Sequence, residues 1–148
     1  MIASCWPRRD WGMVVRMTDE ILAANQRFYE AFSRADLGAM DDLWAREAPV
    51  SCVHPGWSAL VERDEIMLSW RAILEGDAPG EIEYGAAEAH SSDDMAYVVC
   101  SETIGEAQLV ATNIFVREQG AWKLVHHHAG PVVRRTRSVS KVRPNLSN

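Results

Sequence analysis

The chain has 148 residues, 47% of them hydrophobic and 24% charged, and its formal net charge at pH 7 is −6. This length and balance predict one globular domain with its own hydrophobic core. Residues 18–131 are more acidic still, with 20 acidic and 7 basic side chains, which argues against nucleic acid as a partner because phosphate binding needs a basic surface. No apolar run approaches the roughly 20 residues of a membrane span or the core of a signal peptide, so we expect no membrane partner and a cytoplasmic location.

The three cysteines, Cys5, Cys52 and Cys100, are far apart in the sequence. Their odd number and the lack of a Cys-x-x-Cys or Cys/His spacing argue against a disulfide scaffold and a structural zinc site. We therefore interpret Cys52 and Cys100 as buried apolar residues.

The first part of the chain is predicted to be helical. Residues 1–17 lack periodicity and are interpreted as an N-terminal arm before a domain over residues 18–133. Thr18 is a suitable N-cap for a first helix that ends near Arg34. The apolar positions of this helix recur at helical spacing. They are Ile21, Leu22, Phe28, Tyr29 and Phe32, with Asn25 among them.

Two more helices are predicted, over residues 37–45 and 63–75, with a short strand over residues 50–54 between them. Pro49 ends the shorter helix, and Pro55-Gly56 ends the strand.

From Gly80 onward the hydrophobic period changes from 3.6 to 2, which predicts strands. Four strands are expected over residues 81–89, 95–104, 109–117 and 121–132, separated by short polar turns. Helices followed by an antiparallel meander indicate an α+β fold, in which a curved sheet has the helices on its concave face. Residues 134–148 carry five cations and no acid and are interpreted as a flexible basic tail.

The last two strands form a predicted hairpin that ends in His126-His127-His128. Because neighbouring strand residues point to opposite faces, at least one imidazole faces any pocket that the sheet helps to build. We prefer the register that places Val116 opposite Trp122, since the register shifted by one residue mixes apolar and charged side chains on both faces. In the preferred register His127 shares a face with Asn113, and His126 and His128 lie on the other.

Several short motifs resemble a known family. They are Val53-His54-Pro55-Gly56-Trp57, the run from Glu62 to Ile66 leading into Trp70-Arg71, and Gly120-x-Trp122 followed by His126-x-His128. In this order they resemble the SnoaL-like branch of the NTF2-like superfamily, and the last motif is similar to the association domain of calcium/calmodulin-dependent kinases. The resemblance covers residues 18–131. It implies a cone of about three helices and a curved sheet around an interior pocket, and a homodimer through the outer sheet face. It does not imply one chemistry, because the superfamily contains isomerases, cyclases, dehydratases and non-enzymatic modules.

Three residues are candidate catalytic groups. The resemblance places His54 at the pocket, where an imidazole can serve as general acid or base near neutral pH. A two-residue Gly105-Glu106 turn would set Glu102 on the face of Asn113, where an apolar pocket would raise its pKa and make it a base for a proton next to a carbonyl. His127 joins them in the preferred register. For His54 the alternative is a histidine that hydrogen-bonds the turn it precedes. For Glu102 the alternative is a carboxylate at the sheet edge, in water or salt-bridged across the dimer.

Four residues are candidate ligand-binding groups. Trp57 and Trp70 offer flat surfaces for an aromatic ligand, although Trp70 also fits the core face of a helix. Asn113 is a polar residue within an apolar strand and must find partners or a cavity. The register leaves open which imidazole of the triplet faces the pocket, so His128 is retained as a candidate. A metal at His54, His126 and His128 is a further hypothesis, disfavoured because no carboxylate or cysteine accompanies the pair.

Two functions follow as hypotheses. The first is a dimeric protein that binds a small hydrophobic or aromatic molecule and acts, without cofactor or metal, as an isomerase or cyclase through acid/base chemistry on a carbonyl compound. The second is a non-catalytic dimeric module for ligand binding or assembly.

Overall fold

The computed structural model describes residues 11–76 and 81–133, which form three helices and a five-stranded mixed sheet. The helices are α1 (Trp11–Ser33), α2 (Leu37–Leu43) and α3 (Arg63–Glu75). The strands are β1 (Ser51–Val53), β2 (Ile82–Ser92), β3 (Met95–Ile104), β4 (Ala107–Glu118) and β5 (Ala121–Pro131). The predicted α+β class and the order of elements are confirmed. The basic tail predicted over residues 134–148 and the first ten residues of the predicted arm lie outside the described residues.

Helix α1 is longer at its start than predicted. It already includes Trp11, and the hydroxyl of Thr18 donates a hydrogen bond to the carbonyl of Val14, one turn earlier in the same helix. Thr18 as the N-cap is therefore wrong. The prediction failed because the exposed apolar side chains of the first two turns, among them Trp11 and Val15, do not continue the buried stripe on which the helix was recognised.

The sheet has the strand order β1-β5-β4-β3-β2, and only β1 runs parallel to its neighbour. Helix α1 packs against β2, β3 and β5, and it buries Phe28, Tyr29 and Phe32 there. The sheet is open at both ends. A bulge in β2 between Gly85 and Glu88 changes its pairing with β3, and Ala86 takes a positive φ of 48° there. Such bulges bend a sheet and increase its twist, which here lets the strands curve around the helices.

The register predicted for the tip of the hairpin is wrong. Trp122 pairs with Arg117, and Lys123 pairs with Val116. The cause is the turn, in which Gln119 and Gly120 have φ values of 50° and 80°. Two positive φ values are typical of the tight type I′ turn, which fixes the residues on either side of it as partners. The guanidinium of Arg117 lies 4.4 Å from the centre of the Trp122 ring, so the paired residues make a favourable cation–π contact.

A bulge in β5 changes which of its residues face inward before the strand reaches the histidines. Phe115 pairs with Leu124, but Ile114 pairs with His126, so one residue of β5 is extra. After this bulge Asn113 lies opposite His127, so the two residues share a face, as predicted, although the preferred register did not pair them. Trp122 and Leu124 consequently share the inner face with His127, whereas the predicted register placed them on the opposite face. A bulge produces this switch because one inserted residue exchanges the two faces of a strand.

The inner face of the sheet and the helices form the core, and the outer face remains uncovered. Cys52 and Cys100 are buried, as predicted. On the outer face Met95, Tyr97 and Val110 are exposed. None of the described helices is both long and apolar enough to cross a bilayer.

Candidate functional site

A cavity of about 240 Å³ lies between helices α1 and α3 and the inner face of the sheet. Four aromatic residues contribute to its walls, namely Phe28, Phe32, Trp57 and Trp70. The ionisable side chains that line it are His54, Glu102 and His127. Each of these three residues is only 3% exposed. The cavity thus brings together the three residues that the sequence indicated as catalytic candidates, from the end of β1, from β3 and from β5.

The two tryptophans occupy different parts of the wall. Trp70 is 1% exposed and meets His54 edge to face, with ring centres 4.7 Å apart. Trp57 is 48% exposed and lies 5.0 Å from the same imidazole on the loop after β1. Trp70 is therefore both a core residue and a wall residue, and Trp57 stands at the rim, where the cavity meets solvent.

His127 is held from behind by a chain of side-chain amides. Its Nδ1 lies 2.7 Å from Oδ1 of Asn113, whose Nδ2 donates to Oδ1 of Asn25 at 2.8 Å. Since the Asn113 oxygen can only accept, His127 carries its proton on Nδ1. Nε2 is then the unprotonated nitrogen, and it has no hydrogen-bond partner among residues 11–76 and 81–133.

The neutral state of His127 follows from its surroundings. Burial, with a smaller contribution from the neighbouring imidazole of His54, lowers the pKa of His127 to about 3. At neutral pH this side chain is an uncharged base that offers one lone pair, because a buried imidazolium would lose its hydration without gaining an anionic partner.

His54 is oriented by helix α3. Its Nε2 lies 2.8 Å from Oγ of Ser69, and that hydroxyl donates to the carbonyl of Ile66 at 2.7 Å. Because the serine proton is already used, His54 donates from Nε2 and keeps its lone pair on Nδ1. Burial lowers the pKa of His54 to about 4, so it too is neutral at pH 7. Its ring centre is 6.4 Å from that of His127.

Glu102 receives a hydrogen bond from the core side of the cavity. The Tyr29 hydroxyl donates to Oε1 of Glu102 at 2.6 Å and also contacts Sγ of Cys100 at 3.1 Å. Burial raises the pKa of Glu102, and the bond from Tyr29 offsets part of that rise. Oε2 has no partner within the described part of the chain. Glu102 pairs with Leu109 across the Gly105-Glu106 turn, which sets it on the face of Asn113, as predicted from the sequence.

Two of the predicted ligand-binding residues do not line the cavity. Asn113 is fully buried behind His127, so it orients the imidazole from outside the cavity wall. His128 lies on the exposed outer face, opposite Thr112, because alternation along β5 turns it away from His127.

The hypothetical metal ligands do not converge. His126 lies on the outer face with His128, where its Nδ1 is 2.7 Å from Oγ of Ser51, and His54 lies inside. Within the described ranges no group of three or more histidine, cysteine, aspartate or glutamate side chains could hold a metal ion.

Three residues that hydrogen-bond to the site residues were not recognised from the sequence, namely Asn25, Tyr29 and Ser69. Asn25 and Tyr29 were recognised only as members of the buried stripe of α1. Ser69 precedes Trp70 on α3 and gave no signal. The available signal was the presence of polar groups at core-facing helical positions, since a buried polar group must have a partner.

Larger grooves lie elsewhere, among them one of about 550 Å³ between α2 and α3 and one of about 530 Å³ beside α1 and the hairpin. The ionisable side chains of these two grooves are exposed or half-buried. We place the candidate site in the smaller cavity because it alone, among the cavities formed by described residues, combines aromatic walls with buried imidazole and carboxyl groups.

Residues 21–134 match the family model of the SnoaL-like domain. The chain belongs to this family. A proposed dehydratase of the NTF2-like family from Streptomyces avermitilis has a similar structure, with 32% identity, a TM-score of 0.72, and coverage of 80% of this chain and 98% of that one. A proposed calcium/calmodulin-dependent protein kinase type II association domain from Thiobacillus denitrificans is 28% identical, with a TM-score of 0.67, over 75% of this chain and 94% of that one. These matches confirm the resemblance on which the fold was predicted.

The F-box protein SKIP8 of Arabidopsis thaliana is 24% identical over 125 residues, which are 83% of this chain and 54% of that protein. The chain thus spans about half the length of this curated relative.

Proposed function

We propose that this SnoaL-like protein binds a small hydrophobic molecule in its cavity and moves a proton next to a carbonyl group without a cofactor. The observation that carries the proposal is a pair of lone-pair atoms, Oε2 of Glu102 and Nε2 of His127, which have no hydrogen-bond partner among the described residues and belong to side chains that line one cavity. Each of these atoms can take a proton from a ligand or accept a hydrogen bond from a ligand hydroxyl.

In the proposed reaction, Glu102 acts as the base. Its carboxylate takes the proton from the carbon next to the carbonyl, and the electron pair of that C–H bond moves to form an enolate. In an isomerisation, Glu102 returns the proton to another carbon of the conjugated enolate. In a cyclisation, the enolate carbon attacks a second carbonyl of the same molecule, and the alkoxide that forms takes the proton from Glu102. The raised pKa of Glu102 supports this role, because a base is most effective when its pKa lies near the working pH. The neutral imidazoles of His54 and His127 are the other groups able to carry a proton. The relative from Streptomyces avermitilis is a proposed dehydratase. It supports a third candidate reaction, the loss of water from a hydroxy ketone, which begins with the same proton transfer.

The experiment is deuterium exchange. Small cyclic ketones in D2O lose their α-proton signals in the NMR spectrum if the protein forms an enolate, and the wild type should accelerate this loss. Glu102→Gln keeps an oxygen that accepts the bond from Tyr29 but cannot take a proton, so it should lower the rate by about 10²-fold or more. Glu106→Gln, in the exposed turn after β3, is the matched control and should exchange at the wild-type rate. Equal rates with and without protein, for ketones that bind, would contradict the catalytic part of the proposal.

A second candidate function is a non-catalytic dimeric module. The outer sheet face favours it, because the exposed Met95, Tyr97 and Val110 lie on adjacent strands beside Ile114 and His126. An antiparallel sheet with an apolar outer face is stable in water when another surface covers it, and a second copy of the chain is the proposed cover. Binding without any exchange would favour this function.

A further inference from the structure

The size of the cavity restricts its ligand. An apolar cavity of about 150 Å³ is large enough to hold benzene, and the cavity between α1, α3 and the sheet measures about 240 Å³. It therefore holds one ring with a few substituents. A ligand with four fused rings exceeds this volume, so it would either extend past the rim at Trp57 into solvent or displace Phe28 or Trp70, which meet edge to face with centres 5.5 Å apart and are at most 1% exposed.

The charge of the wall restricts the ligand further. Among the described residues that line the cavity there is no lysine or arginine, and both imidazoles have a pKa lowered well below neutral by burial. Glu102 is the one acidic group of that wall. An anionic ligand would lose its hydration, gain no cation and approach a carboxyl group, all of which are unfavourable in a desolvated site.

The hydrogen-bond network determines which polar group the ligand presents to His127. The Tyr29 proton is directed to Glu102 at 2.6 Å, so the Tyr29 oxygen faces Nδ2 of Asn113 as an acceptor at 3.5 Å. This contact and the bond to Asn25 turn Oδ1 of Asn113 toward His127. The imidazole is thereby held with its proton on Nδ1. The atom left for a ligand, Nε2, can only accept a hydrogen bond.

We propose that the cavity selects an uncharged, single-ring molecule whose hydroxyl group donates a hydrogen bond to Nε2 of His127. This inference rests on the proposed function and specifies its substrate class. The hydroxyl donates to an acceptor on the cavity wall, and the aromatic walls contact the ring. Asn113 sets the preference indirectly, as a positioning residue, because it fixes the tautomer.

The test compares four probes by isothermal titration calorimetry. They are 3-hydroxyacetophenone, acetophenone without the hydroxyl, the anion 3-hydroxybenzoate, and the four-ring estrone. We expect 3-hydroxyacetophenone to bind about fivefold to tenfold more tightly than acetophenone, since one buried hydrogen bond contributes about that factor. Both should bind more tightly than 3-hydroxybenzoate or estrone. In the wild type, the ¹⁵N resonance of Nε2 of His127 should shift with 3-hydroxyacetophenone and stay in place with acetophenone.

Two variants test the charge argument. Glu102→Gln removes the one acidic group of the described wall and should improve the binding of 3-hydroxybenzoate relative to acetophenone, whereas Glu106→Gln should leave that ratio unchanged. Equal affinities for acetophenone and 3-hydroxyacetophenone, or a preference for the benzoate in the wild type, would overturn the inference and leave ligand binding in the cavity intact. If none of the probes perturbs the cavity resonances, the proposed function itself is contradicted together with the inference.

Discussion

Acidification should destabilise this protein through its two cavity histidines. Burial lowers the pKa of His54 to about 4 and of His127 to about 3, and in the unfolded chain both return to about 6.5. Between these values the unfolded state binds protons that the folded state does not. The stabilisation is therefore fully present above about pH 6.5 and is lost as the pH falls toward about 4. Going from pH 7 to pH 5 costs about 2 kcal/mol for each histidine, or about 4 kcal/mol together.

Glu102 acts in the opposite direction. Its pKa is raised in the folded state, so its contribution to the free energy of unfolding is most favourable at low pH and declines as the pH rises. His126, whose pKa is lowered chiefly by burial, acts in the same direction as the cavity histidines, so the measured loss in free energy of unfolding should stay near about 4 kcal/mol.

The assay is urea unfolding at pH 7, 6 and 5, at one protein concentration, followed by tryptophan fluorescence. His54→Gln retains a side chain that can bond to Ser69 but does not titrate, so it should remove about half of the pH dependence. His90→Gln replaces an exposed histidine on β2 and should not change the dependence. A free energy of unfolding that is equal at pH 7 and pH 5, or a dependence unaffected by His54→Gln, would refute the reasoning.

Three further predictions concern the buried network and the outer sheet face. Asn113→Leu leaves the cavity imidazole without its anchor and should lower the free energy of unfolding by about 2 to 3 kcal/mol at pH 7, measured by urea titration; a loss under about 0.5 kcal/mol would show that the amide chain contributes little. Tyr29→Phe removes the donor to Glu102 and should raise the pKa of that carboxyl, which infrared spectroscopy of the carboxyl stretch across pH 4 to 8 would detect; an unchanged titration would contradict the assigned bond. Tyr97→Glu places a charge on the exposed outer face and should convert the proposed dimer to monomers in analytical ultracentrifugation, whereas Leu68→Glu, exposed on α3, should leave the dimer intact. A wild type that sediments as a monomer would rule out this interface.

Much of the fold could be predicted because local patterns determine it. The third helix was predicted over residues 63–75 and is found at Arg63–Glu75, since its apolar period and its flanking residues agree. The placement of Glu102 followed from a two-residue turn and simple alternation. The bounds of this helix and the placement of Glu102 both depend only on residues that are close together in the sequence.

The register of the hairpin tip could not be predicted in the same way. Alternation assumes that every residue of one strand has one partner on the other, and a bulge breaks that assumption without leaving a mark in the sequence. Placing Asn113 with His127 was correct, but the preferred pairing between Val116 and Trp122 was wrong. The extra residue of β5 lies between those two places, which reconciles the outcomes.

The partners of the site residues depend on contacts between distant parts of the chain. Tyr29 and Glu102 are 73 residues apart, and Asn25 and Asn113 are 88 apart. No local period links such positions. The sequence could show that a polar residue occupied a buried face, and the folded structure was needed to show which atom satisfied it.

The protonation of the cavity imidazoles tests the central claim most directly, because the proposed chemistry and ligand class both depend on neutral rings with fixed tautomers. The measurement is a long-range ¹H–¹⁵N correlation spectrum of the imidazole nitrogens at pH 6. The predicted result is a neutral His127 with its proton on Nδ1 and a neutral His54 with its proton on Nε2. An imidazolium at either residue, or a proton on Nε2 of His127, would contradict the account.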